Sequence, residues 1–273
     1  MPTILITGCS SGIGYATALY LRQQGWRVIA SCRKAKDVMR LQQEGFECLK
    51  LDVTDSNEIN AAFNYIQTSG QLDAVFCNAG YGQPGCVEDV PRAALREIFE
   101  TNVFGAWEVM NAALKIFRKQ NHGRILVTSS ILGFAAMHYR GAYNATKFAL
   151  EGMADTLRTE LYGSNIYISL IEPGPIQSRF RPNSVEKLKQ YIDLDDSFHQ
   201  DFNQKQLQRL TVASNGNPFT LPASACAEAC FKALTAKKPK ARYQVTFPTQ
   251  LFWWLRRLLP TALFDAINRK AGG

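Results

Sequence analysis

Tyr143 and Lys147 stand four apart in the stretch Tyr143-Asn144-Ala145-Thr146-Lys147. On a helix that spacing places both side chains on one face. A phenol, with a pKa near 10, is a poor base at neutral pH. An ammonium one turn away favours the phenolate, so this pairing is expected to lower the Tyr143 pKa and make it an acid/base group. Ser130 lies upstream, at the end of the apolar run Arg124–Ser129. Its hydroxyl can hold a substrate oxygen in line with the phenol, and two donors on one oxygen stabilise the charge that develops there. His138 falls between Ser130 and Tyr143. With the acid/base role already filled, His138 reads as a wall of the substrate pocket rather than a proton carrier. No spacing of His, Asp and Cys suggests a metal site.

Such a constellation needs a scaffold and an electron carrier, and a second motif supplies both readings. Thr7-Gly8-Cys9-Ser10-Ser11-Gly12-Ile13-Gly14 follows an apolar strand and opens a helix. Gly8 permits a tight turn, Gly12 lets backbone approach a pyrophosphate, and Gly14 lets the helix pack close to the strand. Gly8, Ser10, Ser11, Gly12, Ile13 and Gly14 are therefore assigned to a dinucleotide whose phosphates meet the N–H groups of the helix start. The spacing is one residue longer than the common G-x-G-x-x-G. The second strand ends Ala30-Ser31-Cys32-Arg33-Lys34, with two cations and no carboxylate. NAD sites use an acid there for the ribose hydroxyl, whereas Arg33 can clamp a 2′-phosphate bidentately. NADP(H) is the favoured cofactor, and the alternative is that Arg33 and Lys34 form an ordinary solvated loop.

The elements that position these groups alternate. Candidate strands are Thr3–Thr7, Arg27–Ser31, Glu47–Leu51, Ala74–Cys77, Arg124–Ser129 and Ile166–Ile171; candidate helices are Ile13–Gln24, Ser56–Thr68, Arg92–Lys119 and Tyr143–Tyr162. Either Asp55 or Ser56 can cap the second of these helices. The pattern specifies an α/β fold: a single Rossmann-type doubly wound parallel sheet flanked by helices, as one domain over residues 1–273. The span 174–221 reads as a polar, irregular insertion serving as a substrate loop or lid. A helix at Ala223–Ala236 and a strand at Arg242–Thr246 then resume the rhythm, and residues 247–273 form a basic amphipathic extension.

Six motifs in order resemble those of a classical short-chain dehydrogenase/reductase. They are the glycine loop, Cys77-Asn78-Ala79-Gly80, Thr101-Asn102, Ser129-Ser130, Tyr143 to Lys147, and Pro173-Gly174-Pro175-Ile176. Cys77 departs from the asparagine usual in that family but removes no catalytic group. The resemblance implies that Asn102, Ser130, Tyr143 and Lys147 are catalytic, with Asn102 holding a water that relays protons to Lys147. It implies that Tyr143 and Lys147 meet the nicotinamide ribose, Asp52 and Val53 the adenine, and Asn78, Ala79 and Gly80 the adenosine side. Pro173, Gly174 and Ile176 would border the nicotinamide, with Ser178 where a threonine is frequent. Ser130, His138 and Tyr143 would face substrate. The stretches Lys238–Tyr243 and Leu258–Pro260 are similar to retinol- and hydroxysteroid-type members. That likeness implies reversible, NADPH-dependent reduction of a lipophilic aldehyde or ketone, with dimers or tetramers usual. The alternatives are a non-catalytic NADP(H)-binding redox sensor and a membrane-surface adaptor.

Composition sets the outer bounds. The chain has 273 residues, 46% of them hydrophobic and 20% charged, which excludes disorder, collagen and coiled coil. Its seven cysteines form no C-x-x-C pair, so no disulfide framework or zinc site is expected and a reducing, cytoplasmic setting follows. The opening strand leaves no room for a signal peptide, and no apolar run is long enough to span a bilayer. Of the net charge of +8, nearly all comes from Lys237 onwards, where eight basic residues meet one acid, Asp265. That asymmetry suits an anionic surface, and no nucleic-acid recognition motif accompanies it. Leu251, Phe252, Trp254, Leu255, Leu258 and Leu259 fall on one helical arc, with Trp253, Arg256 and Arg257 opposite. The arc would pack on its own domain or a second subunit, or contact a membrane peripherally.

Overall fold

The computed structural model describes residues 1–211 and 217–272. Seven strands form its sheet: β1 (Thr3–Ile6), β2 (Arg27–Cys32), β3 (Glu47–Lys50), β4 (Ala74–Cys77), β5 (Gly123–Thr128), β6 (Ile166–Glu172) and β7 (Arg242–Gln244). Their order is β3-β2-β1-β4-β5-β6-β7, and every pairing is parallel. The winding reverses between β1 and β4. A crevice therefore opens outside the carboxyl ends of those two strands, where doubly wound sheets bind ligands.

The helices are α1 (Gly12–Gln23), α2 (Ala35–Gln43), α3 (Ser56–Ser69), α4 (Arg92–Phe99), α5 (Gly105–Gln120), α6 (Gly141–Glu160), α7 (Phe180–Tyr191), α8 (Gln200–Thr211), α9 (Ser224–Thr235), α10 (Phe247–Leu258) and α11 (Thr261–Gly272). Alternate strand residues feed two cores. Leu5, Val75 and Ile125 pack with Phe63 of α3, Phe117 of α5 and Leu150 of α6. Ile4, Ile6, Phe76 and Leu126 pack with Leu21 of α1, Leu41 of α2 and Cys230 of α9. Burial on both faces is why these strands read as continuous apolar runs. Asp55, not Ser56, caps α3: its carboxylate accepts the Asn57 and Glu58 N–H groups at 2.8 and 3.3 Å.

Four elements differ from the sequence reading. Helix α2 was not anticipated; it buries only Val38 and Leu41, too few positions to display a helical period. The expected helix Arg92–Lys119 is divided into α4 and α5 by a π-helical segment, Glu100–Phe104, that carries Asn102. A π turn admits an extra residue and resets the face that follows. The span 174–221 is not irregular, because it contains α7 and α8. Their buried positions include Ser184 in α7, and Asn203 and Gln206 in α8, so polar residues conceal the period. Residues 212–216 of that span, and Gly273 of the tail, lie outside the described residues. Finally, the apolar arc of α10 is split. Phe252, Leu255 and Leu259 pack with Ile131, Leu132 and Phe264, whereas Leu251, Trp254 and Leu258 face outward. Among the described residues, no helix is long and apolar enough to cross a membrane.

Candidate active site

The glycine loop is built for close approach. Gly8 and Gly12 have φ of +73° and +60°, in the left-handed region that favours glycine. A Cβ on Gly8 would stand 2.8 Å from the Ala79 Cα, and one on Gly14 would collide with the Gly8 carbonyl. Ser11 begins α1 without using its side chain as a cap, so the first-turn N–H groups remain available to an anion. Asn78 locks the loop from below. Its Nδ2 donates to the Thr7 and Gly8 carbonyls at 3.0 and 3.2 Å, and its Oδ1 accepts from Thr128 Oγ1 at 3.1 Å. The Asn78 and Ala79 N–H groups both donate to Thr7 Oγ1 at 3.0 Å. Asn78, Ala79 and Gly80 thus join the ends of β1, β4 and β5 to the crevice. These features fit a dinucleotide.

The rest of the crevice is assembled from farther along the chain. Asp52 lies beyond β3 and accepts from Thr54 N and Oγ1, while Val53 is buried under Gly105. Arg33 is exposed at the end of β2, and its charge reaches Tyr81 and Glu97 across the cleft. Arg40 of α2, a residue the sequence reading missed, donates to the Ser10 carbonyl at 2.8 Å; recognising α2 would have shown it. On the opposite wall the Pro173 carbonyl accepts from Ile131 N at 2.9 Å. A Cβ on Gly174 would strike Thr246, and Ile176 bridges to Leu221. Ser178 caps the approach to α7, accepting from Phe180 N at 3.3 Å, and lies against Gly12.

Ser130, Tyr143 and Lys147 converge where β5 ends. The Ser130 side chain acts on the Tyr143 phenol, opposing the rise that burial causes, and the Ser130 Oγ accepts from Leu132 N at 3.1 Å. Lys147 Nζ donates to the Thr128 carbonyl at 2.7 Å and stands 5.4 Å from the centre of the Tyr143 ring. Asn102 is nearby and bonded within the fold: it donates to the Tyr81 carbonyl (2.9 Å) and Thr146 Oγ1 (3.2 Å) and accepts from Tyr81 N (3.0 Å). It thereby ties the β4 loop to the residue preceding Lys147.

The electrostatics correct one expectation. Burial raises the Tyr143 phenol above its ordinary range, with the Ser130 hydroxyl opposing, so the ammonium does not by itself lower it. Burial also presses Lys147 down to about 8, against the pull of Glu151. Desolvation of both groups outweighs their attraction, and the phenol is held in its protonated, donating form. Beneath them lies a network the sequence reading did not foresee. Ser129 Oγ donates to Glu151 at 2.5 Å, and Arg242 bridges Glu151, Asp155 and Glu172 at 2.8, 2.8 and 3.2 Å. Glu172, fully buried, is pushed up to about 8 by burial and by Glu151.

Helices α7 and α8 close the outer side. The Phe180 ring stands 5.2 Å from that of Tyr143, edge-on. Glu97 of α4 accepts from Lys187 at 2.6 Å and from Tyr191 at 2.5 Å, tying α7 across the cleft. His138 is exposed and lies edge-on to Phe202 of α8 at 6.2 Å, five residues before Tyr143 in the chain.

The chain is similar to known proteins in sequence and in fold. A family model described as short chain dehydrogenase matches residues 2–189. An uncharacterized oxidoreductase, YbbO, of Escherichia coli K12 is 38% identical over 97% of this chain and 93% of its own length. Human 17-beta-hydroxysteroid dehydrogenase type 1 is 33% identical over 93% of this chain and 80% of its own. Among solved structures, a short chain dehydrogenase/reductase from Burkholderia phymatum in complex with NAD superposes with a TM-score of 0.78 at 23% identity, covering 98% of this chain and 95% of that one. A serine dehydrogenase complexed with NADP+ gives 0.78 at 22%, covering 91% and 96%. Those two structures bear on the fold alone.

Proposed function

Because the chain belongs to the short-chain dehydrogenase family and is an oxidoreductase of that fold, we propose that it is an NADPH-dependent reductase of aldehydes or ketones. The observation that carries this reading is the convergence of Ser130, Tyr143 and Lys147 at the end of β5, beside a glycine loop shaped for a dinucleotide. The nucleotide, when bound, supplies the hydride that reduces the carbonyl carbon. Ser130 holds the carbonyl oxygen, and Tyr143 gives it a proton as that oxygen becomes an alkoxide. The protonated, buried phenol suits this direction. Lys147, anchored on the Thr128 carbonyl, presents positive charge beside the phenolate left behind and holds the nicotinamide ribose. Asn102 keeps Thr146 and the β4 loop in register with Lys147. Read in reverse, the same groups oxidise the alcohol.

Cofactor choice rests on Arg33. A 2′-phosphate beside the end of β2 meets a guanidinium and no carboxylate in Cys32-Arg33-Lys34. Gly8, Ser10 to Gly14, Asp52, Val53, Asn78, Ala79, Gly80, Pro173, Gly174, Ile176 and Ser178 line the nucleotide cleft in this reading, and His138 lies on the substrate side. Phe180 and the α7–α8 cover favour an apolar substrate body at Tyr143. The chain acts in the cytoplasm as a homo-oligomer. Phe104 and the neighbouring Trp107, three residues apart and both exposed, support a face for a second copy. The outward row Leu251, Trp254 and Leu258, beside Arg257, supports peripheral membrane contact.

The test is oxidation of NADPH and of NADH by the purified chain over a panel of aldehydes, steroids and retinoids. The reading expects turnover with a carbonyl substrate and a preference for NADPH. Nucleotide binding without turnover on any carbonyl would favour the redox sensor instead.

A further inference from the structure

Arg242 stands on β7, at the edge of the sheet, yet its guanidinium gathers three acids that run under the site. Its Nε donates to Glu151 Oε2 at 3.0 Å, and its Nη2 meets Glu151 and Asp155, both at 2.8 Å. Glu172 Oε1 lies 3.2 Å from Nε. Glu151 follows Lys147 by four residues on α6, so the two share a helix face. The second Glu151 oxygen, Oε1, accepts from Ser129 Oγ at 2.5 Å, and Ser129 immediately precedes Ser130. Glu172 ends β6 just before Pro173, and Gln244 of β7 donates to its Oε2 at 2.6 Å. One carboxylate is thus bonded to the neighbour of the reacting serine and lies on the helix face of the reacting lysine.

The surroundings leave little slack. A Cβ on Gly133, in the turn after Ser130, would stand 2.7 Å from Ser129 Oγ and 3.0 Å from Glu151 Cγ. Ser129 N donates to the Ile171 carbonyl at 2.8 Å and Ile131 N to the Pro173 carbonyl at 2.9 Å, so Ser130 hangs between two bonds to the end of β6. Glu151 and Glu172 are buried. A carboxylate out of water stays charged only when it is paired and hydrogen-bonded; Arg242 and Ser129 supply both for Glu151. The charged groups around Glu151 are Lys147 and Asp155 on its own helix, Glu172 on β6, Arg242 on β7 and Arg257 from α10. Asp155 is shared with Arg158. The charge of Glu151 opposes the burial that presses Lys147 toward its neutral form.

We infer that Arg242 and Glu151 are positioning residues of the reductase: Arg242 anchors the Glu151 carboxylate between Ser129 and the Lys147 turn of α6, which sets Ser130 and Lys147 against Tyr143. The inference rests on the reading of Ser130, Tyr143 and Lys147 as the reacting groups. Both residues act through their neighbours, and neither is placed against substrate or nucleotide.

The test measures kcat, KM for NADPH and the pH dependence of kcat on the full chain with an accepted carbonyl. Glu151→Gln keeps an acceptor for Ser129 but removes the charge. The Lys147 ammonium then gives up its proton at lower pH, so the alkaline fall of kcat moves down by about one pH unit, the low end for a neighbouring charge. Arg242→Met lowers kcat by about ten- to a hundredfold, the scale of a misplaced reacting group. The KM for NADPH stays within about twofold of the parent's, and Arg242→Lys recovers part of the loss. A purely structural role would lower the Tm and leave both kcat per folded molecule and the alkaline fall unmoved. That result overturns the proposal and leaves the reductase reading intact. Should either variant not fold, Ser129→Ala decides: a kcat lowered several-fold sustains the proposal, and a kcat equal to the parent's overturns it. If the parent turns over no carbonyl, the reductase reading fails separately. The lysine is then followed directly by NMR of a carbon-13-lysine chain, with Lys147→Met identifying its signal. A Lys147 that titrates at lower pH in Glu151→Gln sustains the proposal, and an unchanged titration overturns it.

Discussion

The two walls of the cleft are made by different means. The wall from β1 to β5 is held by backbone and by short contacts to backbone: Gly8 against Ala79, Gly14 against Gly8, and Asn78 and Thr7 pinning the loop to two strands. The wall formed by α7 and α8 is held by side chains reaching across long stretches of sequence. Glu97 grips Lys187 and Tyr191, and Phe202 packs on Tyr139. The first wall tolerates almost no added atom, whereas the second depends on charges and rings that can be exchanged singly. A cofactor common to many reactions suits the rigid wall, and a substrate particular to one protein suits the adjustable wall.

Substitutions can break or sharpen that contrast. At the junction of the walls, Tyr143→Phe should lower kcat by about 10²–10⁴-fold, the range for loss of a positioned acid; steady-state NADPH oxidation measures it. In the rigid wall, Gly14→Ala forces a Cβ into the Gly8 carbonyl. It should cost ~1–3 kcal/mol of stability and weaken nucleotide binding, read by thermal unfolding with and without NADPH. Arg33→Asp should shift preference from NADPH toward NADH by about tenfold, as for one charge-assisted contact; unchanged preference removes Arg33 from the cofactor. In the adjustable wall, Glu97→Gln weakens a partly exposed ion pair. KM for the carbonyl should rise by about two- to fivefold with kcat nearly kept, in line with ~1 kcal/mol or less for such pairs. An equal loss in both walls' variants would erase the contrast.

The smallest effect concerns pH. Glu172 is raised from 4.5 to about 8 in the fold, so between those values the folded chain holds a proton that the unfolded chain has released. Its contribution to stability is fully present below the unfolded value and is lost as pH rises through about 8. The Tm should therefore decline across that window, and Glu172→Gln should flatten the decline.

The sequence was most readable where the rigid wall is. A glycine spacing, an apolar strand and a following helix are local facts, and the structure places Gly8, Asn78, Ser130, Tyr143 and Lys147 around one crevice. Local pattern failed where distant partners decide. Helices α7 and α8 bury Ser184, Asn203 and Gln206, polar residues that no apolar period reveals. The π turn at Asn102 depends on its bonds to Tyr81 and Thr146, twenty or more residues away in the chain. The split of the α10 arc follows from the position of Phe264 and the loop after β5, which α10 alone does not encode. The Tyr143 pKa was misjudged for a related reason: helical spacing reveals a neighbouring ammonium, but not how deeply both groups are buried.

The most direct test follows the hydride itself. NADPH carrying deuterium on the transferred position is mixed with the chain and an accepted aldehyde or ketone, and the alcohol is examined by mass spectrometry. The account predicts one deuterium per alcohol, bonded to the former carbonyl carbon. Alcohol formed without deuterium from either face of the labelled nicotinamide, or no alcohol from any carbonyl offered, would contradict it.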